Sequence, residues 1–255
     1  MGRMFSAMPK GSVWVASGVL LFSIGCTDIS RQAQPAAGTS ASVSPVTSSP
    51  GKANDPYLSV VAHARGSRTK VFRSSSAPKP FTTLKSPTQV GAPLVFLVTK
   101  ESDGWVRVLL PIRPNGSQGW VRTSDVKLLE HRYRIKVDLS AHRITVTKGE
   151  RTLLKAPVGI GTQDTPTPGG LFYIKELLEP PDPDTIYGRY AYGLSGFSNR
   201  LKSFAGGEGV IGIHGTNAPW SVGKTVSHGC IRMYNEDIAK LVPHLPLGTP
   251  VRIVR

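Results

Sequence analysis

The chain has 255 residues, room for two modest domains with appendages, and its 39% hydrophobic content permits a buried core. Its 27 glycines and 21 prolines favour strands and loops over long helices. The formal net charge is +15, yet the basic residues are scattered and no basic run is interleaved with aromatics, which argues against a nucleic-acid surface.

The first 26 residues read as an export leader. Arg3 and Lys10 give a basic start, residues 11–25 are apolar or small, and Ser23-Ile24-Gly25 precedes Cys26. The apolar stretch is short for a permanent span. Either Cys26 becomes the lipid-modified N-terminus of an exported lipoprotein, or cleavage elsewhere removes it. The small residue before the cysteine fits lipidation, whereas Ser23 stands where such signals usually carry Leu. Residues 27–56 are rich in Ser, Ala, Pro, Thr and Gly and form a flexible tether that cannot bury enough surface to offset its chain entropy. For an exported, basic chain, anionic lipid and envelope polymer are the fitting partners, with plain solubility as the alternative.

Residues 57–130 carry short apolar runs: Leu58-Ser59-Val60-Val61-Ala62, Lys70-Val71-Phe72, Leu94-Val95-Phe96-Leu97-Val98, Trp105-Val106-Arg107-Val108-Leu109 and Gly119-Trp120-Val121. Turn dipeptides Asp103-Gly104 and Asn115-Gly116 punctuate them, so a small all-β unit is expected. The order Gly-Trp-Val-Arg-Val, Pro-Asn-Gly, Gly-Trp-Val resembles bacterial SH3-like barrels. Trp105 and Trp120 are expected to fill that barrel's core, with stacking on a ligand as the alternative.

Residues 131–255 form the second unit. Arg134-Ile135-Lys136-Val137-Asp138-Leu139 and Arg143-Ile144-Thr145-Val146-Thr147 alternate about a turn at Ser140-Ala141-His142, which predicts a hairpin. Further strands are expected near 153–158, 170–178, 210–214 and 251–254, and a loop over 162–170. Helical spacing occurs only over 235–242, with Asn235 as its expected cap. The aromatic-bearing stretch 180–207, with Tyr187, Tyr190, Tyr192, Phe197 and Phe204, reads as a lid.

Chemistry concentrates in Gly212-Ile213-His214-Gly215-Thr216 and Ser227-His228-Gly229-Cys230-Ile231-Arg232. Cys230 is one of two cysteines. A Cys26–Cys230 disulfide is the alternative reading, but Cys26 is expected to be lipidated or removed and the segment after it to be unstructured, so Cys230 is expected as a free thiol, and a working one in an oxidising compartment. Cysteine attacks as thiolate and needs a base within hydrogen-bond reach. His214 and Cys230 can meet at the ends of neighbouring strands joined by the excursion 216–226, and N–H groups near Gly229 and Cys230 could hold an oxyanion. Two other readings stand beside this one: an inert core thiol, and a zinc site from His214, His228 and Cys230, which lacks paired ligand spacing. His63, His131, His142 and His244 lack such context and are expected at the surface or in turns.

These motifs, with Val158-Gly159-Ile160-Gly161, Thr165-Pro166-Thr167-Pro168-Gly169-Gly170 and the Gly-Leu-Ser-Gly-Phe stretch at 193–197, closely resemble the L,D-transpeptidases of YkuD-like fold over residues 133–255. The resemblance implies a mainly β protein: a small SH3-like barrel, then a β-rich catalytic domain with one short helix. It implies Cys230 as acyl-accepting nucleophile and His214 as its base, oriented by the Gly215 carbonyl. His228, Gly229 and Cys230 would form the oxyanion hole and Ser227 would support the site. Arg232, where many members carry Asn, would bind a substrate carboxylate, and Tyr190 or Tyr192 would face substrate. No metal or cofactor is implied. The implied partners are peptidoglycan stem peptides, with cross-linking of two diamino-acid residues as the outcome. A hydrolase using the same cysteine and a non-catalytic wall-binding lipoprotein remain the alternatives.

Overall fold

The computed structural model describes residues 55–203 and 207–255. The leader, Cys26, nearly all of the tether and Phe204 lie outside them. The described chain is mainly β with one short helix, and among the described residues no helix is long and apolar enough to cross a membrane.

Five antiparallel strands form the first sheet, in the order Gln118–Arg122, Trp105–Leu109, Val95–Ser102, Ser59–Ala64, Val126–His131. Alternation sets its two faces: Val106 and Val108 are buried and Arg107 is exposed. Asp103-Gly104 makes the expected two-residue turn, with Ser102 opposite Trp105. The tryptophans correct the expectation. The core is filled by Phe96, Val106, Val108, Leu110 and Val121, and this phase leaves Trp105 and Trp120 half-buried on the other face. There Trp105 meets Phe72 edge-on at 5.1 Å, with the Arg122 guanidinium 4.7 Å above its ring.

The second sheet has eight strands in the order Arg151–Pro157, Arg143–Lys148, Tyr133–Asp138, Pro250–Val254, Gly170–Leu178, Ala191–Phe197, Val210–His214, Ile231–Arg232. Two neighbouring pairs are parallel: Tyr133–Asp138 with Pro250–Val254, and Val210–His214 with Ile231–Arg232. The helix Asn235–Leu241 buries Ile238 and Leu241 in the core of this sheet. Ala191–Phe197 overturns part of the lid reading, because all seven of its residues are buried in the sheet. Gly193, Ser195 and Gly196 hide the strand from any apolar pattern, while Tyr192 and Leu194 supply its core contacts.

The sheets share a small core in which Tyr173 packs among Val61, Val95, Leu97 and Leu109. Asn115 and Gly116 are the central residues of a turn closed by the Ser117 N–H on the Pro114 carbonyl at 3.2 Å, in the connection between Trp105–Leu109 and Gln118–Arg122, and the Asn115 side chain reaches across to the second sheet. Its Nδ2 donates to the Phe197 carbonyl at 2.7 Å and its Oδ1 accepts the Phe197 N–H at 2.9 Å, so the amide replaces a strand partner. Beside it, Arg113 donates to the carbonyls of Ser198, Leu201 and Glu208 at 2.8, 3.1 and 3.0 Å and lies over the Phe197 ring.

Candidate active site

Parallel pairing brings the two key motifs together. Ile213 is level with Ile231 and His214 with Arg232, so Cys230 enters its strand beside Gly212. The Gly212 N–H points at Cys230 Sγ at 3.4 Å, and a Cβ built on Gly212 would lie 3.8 Å from His214 Cδ2 and 4.0 Å from that sulfur. Both side chains therefore border one small space. Cys230 is a free, partly exposed thiol.

The turn before Cys230 is internally braced. Ser227 Oγ donates to the Cys230 carbonyl at 2.6 Å and accepts the Gly229 N–H at 3.1 Å. Ser227 is thus committed to the turn rather than to a ligand. Gly229 has φ of +116°, which side-chain-bearing residues rarely adopt. The loop expected over 162–170 holds the turn from outside: the Thr162 N–H and the Thr165 hydroxyl both donate to the Ser227 carbonyl. His228 is exposed on the rim of the cleft.

His214 is 4% exposed. Its Nδ1 lies 2.5 Å from the Gly215 carbonyl. A carbonyl only accepts, so Nδ1 carries the proton and Nε2 keeps its lone pair. Burial, with a smaller push from the Arg232 charge, lowers the imidazole pKa to about 4, although the Gly215 bond opposes that fall. The Cys230 thiol is raised, chiefly by burial; the Gly212 N–H and Arg232 pull it the other way. At neutral pH the pair therefore rests as thiol and neutral imidazole, and the imidazole can take a proton at Nε2 as sulfur attacks.

Asn235 was expected to cap the helix, but Tyr234 occupies the cap position and no side chain caps there. Asn235 instead grips Thr216: its Oδ1 accepts the Thr216 N–H at 3.0 Å and its Nδ2 donates to the Thr216 carbonyl at 3.2 Å. This fixes the chain just beyond the Gly215 carbonyl. A side chain at Gly215 would run into Asn235 Oδ1. An asparagine three residues after Arg232 was the available signal, and its cap-like position disguised it.

Two openings meet at Cys230 and His214. One is a narrow cleft bordered by Ile186, Leu201, His228 and Arg232. The other is a cavity of about 550 Å³ reaching Lys175, Glu176, Tyr192 and, from the first-sheet side, residues 88–90. Arg232 borders the cleft, and among the described residues no carboxylate pairs with it. Tyr192 borders the cavity, whereas Tyr190 packs on the core and Arg189 lies over its ring. Tyr187, named in sequence only as a lid aromatic, stands edge-on to the imidazole at 5.2 Å and borders both openings. His214, His228 and Cys230 do not gather into a group that could hold a metal ion.

The described chain is thus a β-rich protein with a buried histidine at the end of one strand and a cysteine at the entry to its parallel neighbour, both bordering two openings. Residues 132–253, just under half of the chain, match the family model of the L,D-transpeptidase catalytic domain, YkuD. The chain is 37% identical over 123 residues to the putative L,D-transpeptidase YkuD of Bacillus subtilis, covering 48% of this chain and 66% of that protein. It is 32% identical over 133 residues to the probable L,D-transpeptidase YbiS of Escherichia coli, covering 42% and 39%. The chain therefore spans 66% of the first of these relatives and 39% of the second. A solved L,D-transpeptidase from Mycobacterium smegmatis aligns with a TM-score of 0.41 at 18% identity, covering 64% of this chain and 92% of that one.

Proposed function

We propose that the protein is a peptidoglycan L,D-transpeptidase that works through a Cys230 acyl-enzyme. The observation that carries this reading is the His214 tautomer: with Nδ1 held by Gly215, Nε2 keeps its lone pair on a ring that borders the same openings as Cys230. In the first half-reaction, Nε2 takes the thiol proton while sulfur attacks the carbonyl before a terminal D-alanine. The C–N bond breaks, and D-alanine leaves with that proton on its amine. In the second, an acceptor amine attacks the thioester, His214 receives its proton, the C–S bond breaks, and the proton returns to sulfur.

The Gly229 N–H is already bound to Ser227 Oγ, so the Cys230 N–H is the better oxyanion donor of the two. Arg232 is the candidate for a substrate carboxylate, through its planar fork. The same reading takes residues 57–130 as an SH3-like unit, supported by short antiparallel strands. It takes the leader and Cys26 as signs of an exported, lipid-anchored enzyme facing the wall.

Intact-mass spectrometry with a carbapenem is the direct test. The wild type should gain one adduct and Cys230→Ala none, with the fold unchanged by circular dichroism. An adduct persisting in the alanine variant refutes the assignment. Incubation with isolated stem peptides then separates cross-linked dimers from the trimmed monomers a hydrolase would give.

A further inference from the structure

The cavity that reaches Cys230 contains charged groups the acylation chemistry does not use. Strand Gly170–Leu178 slips by one residue against Ala191–Phe197 between Ile174 and Glu176. Such a bulge brings consecutive side chains to one side, and here Lys175 Nζ lies 3.2 Å from Glu176 Oε1. Both border the cavity. The Glu176 side chain is only 7% exposed, and its second oxygen, Oε2, has no hydrogen-bond partner. Tyr192, also on the cavity wall, has a buried hydroxyl without a partner. Room for the carboxylate comes from Gly193 opposite, where any Cβ would collide with it.

A buried carboxylate oxygen with no donor is costly, and such a group in a native fold calls for a partner that the fold itself does not supply. The missing partner is a donor, and a positive one suits a carboxylate best. We propose that Glu176 Oε2 and Tyr192 Oη form an acceptor subsite for the ammonium-bearing end of a diamino acid, with Lys175 beside it for a carboxylate on the same carbon. The subsite would hold the incoming stem by that ammonium and carboxylate; Glu176 would take one proton from the ammonium and pass it to solvent, and the freed amine would then attack the thioester at Cys230. This rests on the transpeptidase reading, and it assigns the cavity to the acceptor and the narrow cleft beside Arg232 to the donor.

The test separates the two half-reactions in the intact chain. Acylation by a carbapenem and by a tetrapeptide donor is followed by mass spectrometry. Capture of the tetrapeptide acyl-enzyme is then titrated with free lysine and diaminopimelate, each against its N-acetylated form. Glu176→Gln should acylate within about twofold of wild type, yet need at least tenfold more diamino acid for half-maximal capture. It should also lose the preference over the acetylated controls. Tyr192→Phe, which removes only the hydroxyl, should shift capture in the same direction by a few fold, and Glu176→Asp should restore part of the loss. Unchanged acceptor half-saturation in Glu176→Gln and Tyr192→Phe, with normal acylation, overturns the subsite. Equal loss of acylation and capture overturns it too, because the carboxylate would then be supporting the fold. Failure of the wild type to form any acyl-enzyme would instead count against the transpeptidase reading.

Discussion

The two sheets bury different things. Among the described residues, Ser59 and Thr69 are the buried polar side chains of the first sheet region; in the second, Glu176, Ser195, His214, Thr216 and Ser227 are buried, with others. Buried polar groups destabilise unless they are partnered. The first sheet therefore rests chiefly on packing. The second keeps its polar interior through specific bonds, such as Ser227 to Cys230 and Asn235 to Thr216. Stability and chemistry should respond separately when each sheet is cut.

The sharpest cut is a crossed pair of substitutions. His214→Ala should slow carbapenem acylation by about a hundredfold or more, with little change in melting temperature. Leu110→Ala, in the first core, should lower stability by about 2–5 kcal/mol and leave the acylation rate of the folded protein nearly unchanged. Stopped-flow acylation and thermal unfolding of both variants check this. If Leu110→Ala slows acylation as much as His214→Ala, the division of labour between the sheets is wrong.

A pH profile probes the same burial. An ordinary imidazole titrates near 6.5, but His214 is lowered to about 4, chiefly by desolvation. Below its pKa it is protonated and cannot accept the thiol proton. The second-order acylation rate should thus stay level as pH falls through 6.5 and drop only near 4. On the alkaline side, burial raises the thiol, so neutral thiol persists above its usual range. An acid limb at 6.5 would mean that the imidazole is hydrated in solution.

Asn235→Ala comes next. It removes both bonds to Thr216, and about 1–3 kcal/mol of stability should go with them. If the grip also steers the Gly215 carbonyl onto Nδ1, acylation should fall about tenfold and its acid limb should shift, because the bond that raises the imidazole pKa is weakened. A stability loss with an unmoved pH profile would reduce Asn235 to a fold support.

How much of this was legible depends on which residues carry the signal. The hairpin of Tyr133–Asp138 with Arg143–Lys148 followed from alternation, and the approach of His214 to Cys230 followed from their motifs. Ala191–Phe197 did not, because its two glycines and Ser195 pack by close approach rather than by apolar period. Ile160–Gly161 and Thr225–Ser227 pair in parallel over very few residues, too short for a pattern. Trp105 was misjudged because size suggests burial, whereas strand phase decided the face. Glu176 had no local signal at all: its burial comes from a bulge and from a glycine on another strand.

The smallest effect should come from the contact that joins the two regions. Arg113 holds three carbonyls on the chain from Ser198 to Glu208, and within that stretch Leu201 borders the cleft beside Cys230. Arg113 is no part of the proposed chemistry, so Arg113→Ala should change acylation by only a few fold. It should, however, raise amide hydrogen exchange over 198–203 and 207–209 while exchange in Val210–His214 stays slow, because that strand is held by its own ladder. Arg113→Lys should behave like the alanine variant, since one ammonium cannot reproduce the planar fork. Exchange that rises equally in both segments would show that the first sheet stabilises the whole catalytic half rather than one loop at its mouth.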